Sequence, residues 1–299
     1  MRMRCAKLVL GLAVGLAVPV TISARLAAGE AAADAKAGLE ARLEKQIASI
    51  EDRMTSLQEE ELNLSMKIMQ ARQKASEGVE NPGKVAEQLA KGESGKGLRQ
   101  YKIIMVSCAR QLQAFGAKLQ PLLKQVKALQ PDREKAPEPL KARIDTVTAR
   151  VESKYRANLE KVAQMYQQCA EFPAALGIYL SIYKSIPANQ RAKEAVLIET
   201  IGESYDKAGD PKNALLFYKS LFEAKDPKSR YNDKKLGMKV AELYAKCGDK
   251  RSAVQLYQAL FNALPTAKRT EKEGQELQKK IEEIEGKSGR PKDRDKKRY

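Results

Sequence analysis

Side chains that could perform acid–base or nucleophilic chemistry are scarce or poorly placed in this sequence. None of the 299 residues is histidine, the commonest general base and the commonest metal ligand in proteins. Without histidine, neither a Ser-His or Cys-His pair nor an H-E-x-x-H zinc site can form. Carboxylates are numerous, but they lie among lysines at helical spacing, as in Lys280, Glu282 and Glu283, which is typical of a solvated helix face. The composition therefore predicts a protein that is not an enzyme and that binds no metal.

One glycine-rich segment, GESGKG at residues 92–97, resembles a phosphate-binding loop in composition only. Such a loop needs the full spacing G-x-x-x-x-G-K-[ST] after a β-strand, because its backbone N–H groups must converge on the phosphate. The segment has neither that spacing nor a preceding strand. We expect a flexible loop here and no cofactor.

The strongest pattern in the sequence is a unit that occurs three times with a period of 39 residues. Each copy has an apolar and a small residue before a tyrosine, then a turn, an alanine, a second tyrosine and a proline near its end. Small residues allow two helices to cross closely, and the aromatic rings fill the gap to the next pair, so each copy predicts a helix–turn–helix. The first tyrosines are Tyr166, Tyr205 and Tyr244, the alanines are Ala175, Ala214 and Ala253, and the second tyrosines are Tyr179, Tyr218 and Tyr257.

These copies resemble the tetratricopeptide repeat, whose units of about 34 residues would fall at residues 156–189, 195–228 and 234–267. The match covers about a third of the chain. It departs from the family pattern where Leu159, Ile198 and Gly237 replace the bulky aromatic that often opens a unit. The resemblance implies a superhelix of three helical hairpins that binds a protein or a peptide.

The same resemblance implies that the first helix of each unit lines a concave partner-binding groove. That groove is mixed in charge and acidic toward its middle. Glu160, Glu199 and Met238 occupy the place where chaperone-binding members carry a basic residue, so clamping of a C-terminal carboxylate is not expected. The implied groove residues are Glu160, Lys161, Gln164, Gln168, Glu199, Glu203, Asp206, Met238, Lys239, Glu242 and Lys246.

The region before the repeats, residues 30–130, has two apolar stripes whose members are three or four residues apart. This spacing is typical of a heptad seam, and Glu61 is the one charged member of the first stripe. The stripes can pair with each other as an antiparallel hairpin, or each can join copies of the chain in a homo-oligomer, and Pro121 should kink or restart the second helix. The first stripe is Leu43, Ile47, Ile50, Met54, Leu57, Glu61, Leu64, Ile68 and Ala71. The second is Leu98, Tyr101, Met105, Cys108, Leu112, Phe115, Leu119, Leu122, Val126 and Leu129.

Helix-forming residues dominate and β-strand alternation is scarce, so the fold is predicted to be all-α. A charged, proline-containing linker is expected at residues 131–139. Residues 140–285 would then form the repeat array with a capping helix at each end, because such arrays need polar outer faces. Residues 286–299, rich in Lys, Arg, Gly and Pro, are predicted to be disordered.

Residues 1–29 have the three parts of a secretory signal peptide: positive charges, an apolar core at residues 8–22 and small residues before Glu30. The apolar stretch is short for a membrane span and contains Pro19, which favours cleavage over a retained anchor. Export would place the protein in the periplasm or the cell envelope. The order of signal peptide, coiled coil, linker and repeats also resembles a periplasmic family linked to the Tol–Pal system and cell division, which implies an envelope scaffold.

The formal net charge of +17 allows a second hypothesis about partners. Seven Lys or Arg residues against two Asp lie in residues 287–299. Such a tail could hold the protein to anionic lipid, to a cell-wall polymer or to nucleic acid. Nucleic acid is the least expected of these, because the chain is predicted to be exported and has no interleaved aromatics for base stacking.

Overall fold

The computed structural model describes residues 19–227 and 229–286, and every regular element in these ranges is a helix. The prediction of an all-α fold is confirmed. Most of the predicted signal peptide and the basic tail after Gly286 lie outside the described residues. The α-helices are α1 Pro19–Glu77, α2 Val85–Ala90, α3 Lys96–Arg133, α4 Glu138–Gln168, α5 Phe172–Ser185, α6 Ala188–Arg191, α7 Ala195–Lys207, α8 Pro211–Glu223, α9 Lys234–Lys246, α10 Lys250–Ala263, α11 Thr266–Arg269 and α12 Lys272–Glu285.

Of the segment predicted as a linker, residues 131–139, only residues 134–137 lie outside a helix and connect α3 to α4. Helix α3 includes Pro131 and ends at Arg133, and α4 begins at Glu138 with Pro139 in its first turn, where proline is well tolerated. Helix α3 also continues through Pro121 without restarting. The apolar stripe of α3 is buried on both sides of Pro121, and that packing favours a continuous helix over the break that proline alone predicts.

The chain divides into two compact units that interleave along the sequence. The bundle unit consists of Met1–Ser56 and Leu122–Val151, and the hairpin unit of Leu57–Pro121 and Glu152–Tyr299. In the described part of the chain, none of the helices has an apolar stretch long enough to cross a membrane.

The core of the bundle unit is made by the apolar stripes of three helices of the same chain. Each fully buried leucine or isoleucine contributes roughly 1.5–3 kcal/mol through removal of apolar surface from water. At the rim, Arg133 donates from Nε and Nη2 to the two carboxylate oxygens of Asp145, each at 2.6 Å, and Arg143 pairs with Glu51. The start of α4, which was expected to cap the repeat array, instead packs in this unit and helps to bury parts of both stripes whose pairing the sequence left open. The buried residues are Leu43, Ile47, Ile50 and Met54 of α1, Leu122, Val126 and Leu129 of α3, and Leu140, Ile144, Val147 and Val151 of α4.

The hairpin unit contains three helical hairpins at the places of the three predicted repeat units. Hairpin 1 is the end of α4 (residues 152–168) with α5, hairpin 2 is α7 with α8, and hairpin 3 is α9 with α10. Helix α5 packs on α7, α8 on α9, and α10 on α12, which covers the last hairpin. Ala175, Ala214 and Ala253 are completely buried, as expected for residues at helix crossings. A Cβ on Gly202 would lie 2.8 Å from the Tyr218 ring, so only glycine fits there.

Each hairpin turns through one residue in the left-handed backbone conformation. Gly209 and Gly248 have φ of 82° and 85°, and the equivalent Ala170 has φ of 60°. The next residue in each copy donates its N–H to the carbonyl of the first repeat tyrosine, Tyr166, Tyr205 or Tyr244, at 2.9 Å. This bond satisfies a carbonyl that the helix end would leave unpaired.

The segment after each hairpin carries an arginine that sequence reasoning missed, although it follows the 39-residue period. Arg191 donates from Nε to the Ile186 carbonyl at 2.9 Å and from Nη2 to the Lys184 carbonyl at 3.1 Å. Arg269 does the same at the end of α10, and Arg230 contacts two carbonyls at the end of α8 through Nη2. These arginines cap the second helix of each hairpin.

Candidate functional site

The predicted groove residues do not form one continuous surface. Five of them, Glu199, Glu203, Met238, Lys239 and Glu242, line a groove over hairpins 2 and 3. Lys161, Gln164 and Gln168 instead line a second groove, between α4 and α1. Glu160, Asp206 and Lys246 are engaged in ion pairs.

The first of these surfaces, the hairpin groove, has a volume of about 890 Å³. Its walls come from α7 and α9, its floor from α8 and α10, and one end from α12. Acidic Glu199, Glu203 and Glu242 and basic Lys235 and Lys239 all line it. Val196, which also lines the groove, is 79% exposed and is therefore available to contact a ligand.

Tyr218 and Tyr257 form the floor of the hairpin groove, and both rings are almost completely buried. Burial raises the pKa of Tyr257 to about 12, and Glu242 adds to that rise. The pKa of Tyr218 is raised for the same reason, with further contributions from Glu203 and Glu199. Both phenols therefore stay neutral at physiological pH and can offer hydrogen bonds, but they cannot act as bases.

Asp206 joins hairpin 2 to hairpin 3 rather than facing a ligand. Its side chain is only 12% exposed and accepts from Lys239 Nζ at 2.7 Å and from Lys246 Nζ at 2.9 Å. Burial by itself would raise the pKa of this carboxyl, but hydrogen bonds from the two lysines outweigh that effect and leave the pKa below its ordinary value. Asp206 is ionised at neutral pH, and its ion pairs hold α9 against α7.

At hairpin 1 the bridge is made by Arg156, and Glu160 pairs with it from the same helix. Arg156 donates from Nε to Glu160 at 2.9 Å and from Nη2 to Glu194 at 2.6 Å. The hydrogen bonds from Arg156 to Glu194 lower the pKa of that carboxyl and connect α4 to the residue that precedes α7. Glu160 is thus occupied by a contact within the hairpin unit.

The second surface, the α1–α4 groove, has a volume of about 500 Å³. The inner face of α4 in hairpin 1 lies against α1, so Lys161, Gln164 and Gln168 face Met69 and Arg72 there. The repeat pattern could not predict this arrangement, because α1 belongs to no repeat.

Sequence reasoning also missed several residues of the hairpin groove. Tyr218 and Tyr257 were visible as repeat positions, but the pattern assigned them to packing rather than to the groove floor. Glu276 and Lys280 of α12 line the groove as well, and no repeat position marks them. In the described residues, no group of three or more Cys, Asp or Glu side chains is arranged to hold a metal ion.

Comparison of the chain with protein-family models and with curated proteins finds no match.

Proposed function

We propose that the protein is an exported, non-enzymatic adaptor of the tetratricopeptide type, whose hairpin groove binds a peptide segment of a partner protein in the cell envelope. The observation that carries this proposal is the groove itself. Its volume of about 890 Å³ lies within the range of ~300–1,000 Å³ typical of ligand sites.

The chemistry of the groove fits a peptide better than a small charged metabolite. Peptides offer both backbone amides and side chains of mixed character. The neutral phenols of Tyr218 and Tyr257 can hydrogen-bond a backbone, and the exposed Val196 can contact an apolar side chain. Acidic Glu199, Glu203 and Glu242 would select basic side chains in the bound segment.

Export and envelope location are supported by the predicted leader and by the resemblance in domain order. The competing proposal, attachment through the basic tail to an anionic surface, differs in its salt dependence. An attachment made by exposed charges weakens steeply with ionic strength, because the Debye length falls from about 10 Å at 0.1 M to about 3 Å at 1 M salt. A groove that buries apolar groups retains its partner better at high salt.

A capture experiment tests the proposal through one charge reversal and a matched control. The chain without its leader is immobilised, and native envelope extract is passed over it at 0.1 M and 0.5 M salt. Glu203 in the groove and Glu223 on α8 each pair with a lysine one turn away, so Glu203→Lys and Glu223→Lys break equivalent ion pairs. We expect Glu203→Lys to weaken capture of one partner by about tenfold, a charge effect at a rim site.

Chemical crosslinking and mass spectrometry then identify the captured protein and the contact residues. Crosslinks from Lys235 or Lys239 would place that partner in the hairpin groove. The proposal would be rejected if capture is lost at 0.5 M salt, requires residues 287–299 and is unchanged by Glu203→Lys. Those results would instead support attachment through the basic tail.

A further inference from the structure

The α1–α4 groove differs from the hairpin groove in its charge. Among the described residues that line it, none is acidic and two, Arg72 and Lys161, are cations. The hairpin groove, in contrast, mixes acids and bases. The two grooves therefore favour different ligands.

The positive charge of the α1–α4 groove is only partly neutralised by neighbouring side chains. Lys161 pairs with Glu61 at 3.2 Å, but the same carboxylate also pairs with Lys154 at 2.6 Å. One carboxylate shared by two lysines leaves an excess positive charge. Within the described part of the chain, Arg72 has no hydrogen bond and no ion pair. A guanidinium in this position can bind a carboxylate through two parallel hydrogen bonds.

The groove also contains an unpaired hydrogen-bond acceptor. The side-chain oxygen of Gln168 is buried and has no donor among the described residues. An unsatisfied buried acceptor destabilises the folded protein, and a donor from a ligand would remove that cost. A peptide backbone supplies N–H donors, whereas an isolated anion such as phosphate at neutral pH supplies few.

An exposed apolar stripe on α1 adjoins the groove. Leu62, Met66 and Met69 are 63%, 46% and 65% exposed, and their spacing of four and three residues places them on one face of the helix. Met69 itself lines the groove. Methionine is flexible and polarisable, so such a stripe adapts to apolar side chains of different shapes.

We propose that the α1–α4 groove binds an acidic, amphipathic segment of a partner protein. Carboxylates of the segment pair with Arg72 and Lys161, a backbone N–H donates to Gln168, and apolar side chains cover Met66 and Met69. This site goes beyond the proposed function of the hairpin groove and does not depend on it.

Selection from a phage-displayed library of random peptides tests the proposal on the full-length protein. Peptides selected on the wild type are measured against Arg72→Glu and against Lys67→Glu. Lys67 is a second exposed cation of α1, but it does not line the groove. We expect a class of peptides enriched in Asp and Glu, with apolar residues between them, whose binding falls by at least about tenfold with Arg72→Glu and stays unchanged with Lys67→Glu.

A second variant, Gln168→Leu, removes the unpaired acceptor while keeping its volume. Binding of the acidic peptides should weaken, whereas thermal stability should stay the same or rise, because an unsatisfied polar atom is lost. Peptides that lack acidic residues, or that lose affinity equally with Arg72→Glu and Lys67→Glu, would overturn the proposal. So would self-association of the protein that Arg72→Glu abolishes, since the occupant would then be a second copy of the chain.

The variants Glu203→Lys and Arg72→Glu distinguish the two proposed binding sites from each other. If selected peptides respond to Glu203→Lys and never to Arg72→Glu, the α1–α4 site fails while the hairpin groove stands. The reverse result rejects the hairpin groove alone.

Discussion

At the scale of single residues, the three hairpin turns show how one backbone requirement is met in different ways. A left-handed residue ends the first helix of each hairpin, and two of the three copies place glycine there. Hairpin 1 has Ala170, whose Cβ approaches the following carbonyl oxygen in this conformation. That contact costs roughly 1–2 kcal/mol for an L-residue.

Replacing Ala170 with glycine should therefore stabilise the protein by about 1 kcal/mol, even though glycine loses more backbone entropy on folding. Urea unfolding followed by circular dichroism measures the change. Ala114→Gly is the control, because Ala114 is exposed in the interior of α3 and glycine there should cost about 1 kcal/mol. Destabilisation by both substitutions would show that Ala170 is not strained.

At the scale of elements, the arginines after each hairpin act as caps that reach back to the preceding helix. Each lies close to an aromatic ring of that helix, and the Arg191 guanidinium is 5.2 Å from the centre of the Tyr183 ring. The planar shape of the guanidinium matters here, because one rigid group donates hydrogen bonds to two backbone carbonyl oxygens. A lysine keeps the charge but not this geometry.

Both Arg191→Lys and Arg191→Ala should consequently destabilise the hairpin unit, by about 1–2 kcal/mol each, as expected for hydrogen bonds from a charged donor. Lys193→Ala, two residues away on the surface, should change the unfolding free energy by less than about 0.5 kcal/mol. A lysine at position 191 that preserves full stability would mean that charge alone caps the helix. These outcomes are distinguished by the midpoints of denaturant unfolding, provided that the dependence of the unfolding free energy on denaturant concentration is the same in all variants.

The elements also show where prediction from the sequence works and where it ends. Period and spacing identified the buried stripes of α1 and α3, the crossing alanines and the three hairpins, because these depend on local helix geometry. The partners of Glu61, which are Lys154 and Lys161, depend on the register between helices far apart in sequence. The contribution of α12 to the hairpin groove could not be predicted either, because tertiary packing rather than periodicity positions this helix.

The candidate site was predicted only in part for a related reason. The resemblance assigned one groove to the first helices of all three repeat units. In hairpin 1 that helix is the end of α4, and its inner face lies against α1. The repeat pattern contains no information about a helix outside the array, so the separation into two grooves could not be foreseen.

For the molecule as a whole, the burial of the heptad stripes within one chain predicts a monomer. Ile50→Lys places a charge in the core of the bundle unit, where Ile50 is almost completely buried, and should cost more than about 3 kcal/mol. Ala48→Lys, on the exposed side of α1, is the control. Helicity should fall in the first variant only, and sedimentation should give the same monomer mass for all three proteins.

A mass that rises with concentration in the wild type and falls back to the monomer with Ile50→Lys would show instead that the stripes join copies of the chain. Measurement over at least a hundredfold range of concentration separates the two outcomes. Association that persists in Ile50→Lys would have to use another surface.

The interleaving of the two compact units has a consequence for the synthesis of the protein on the ribosome. The stripe of α1 in the bundle unit is made early, but the α4 residues that complete its core come roughly a hundred residues later. At a synthesis rate of about 5–20 residues per second, the time between synthesis of the α1 stripe and synthesis of its α4 packing partner is on the order of 5–20 s. During this interval an apolar surface made of Leu43, Ile47, Ile50 and Met54 is available to chaperones, so the nascent chain should be a better chaperone client than the finished protein.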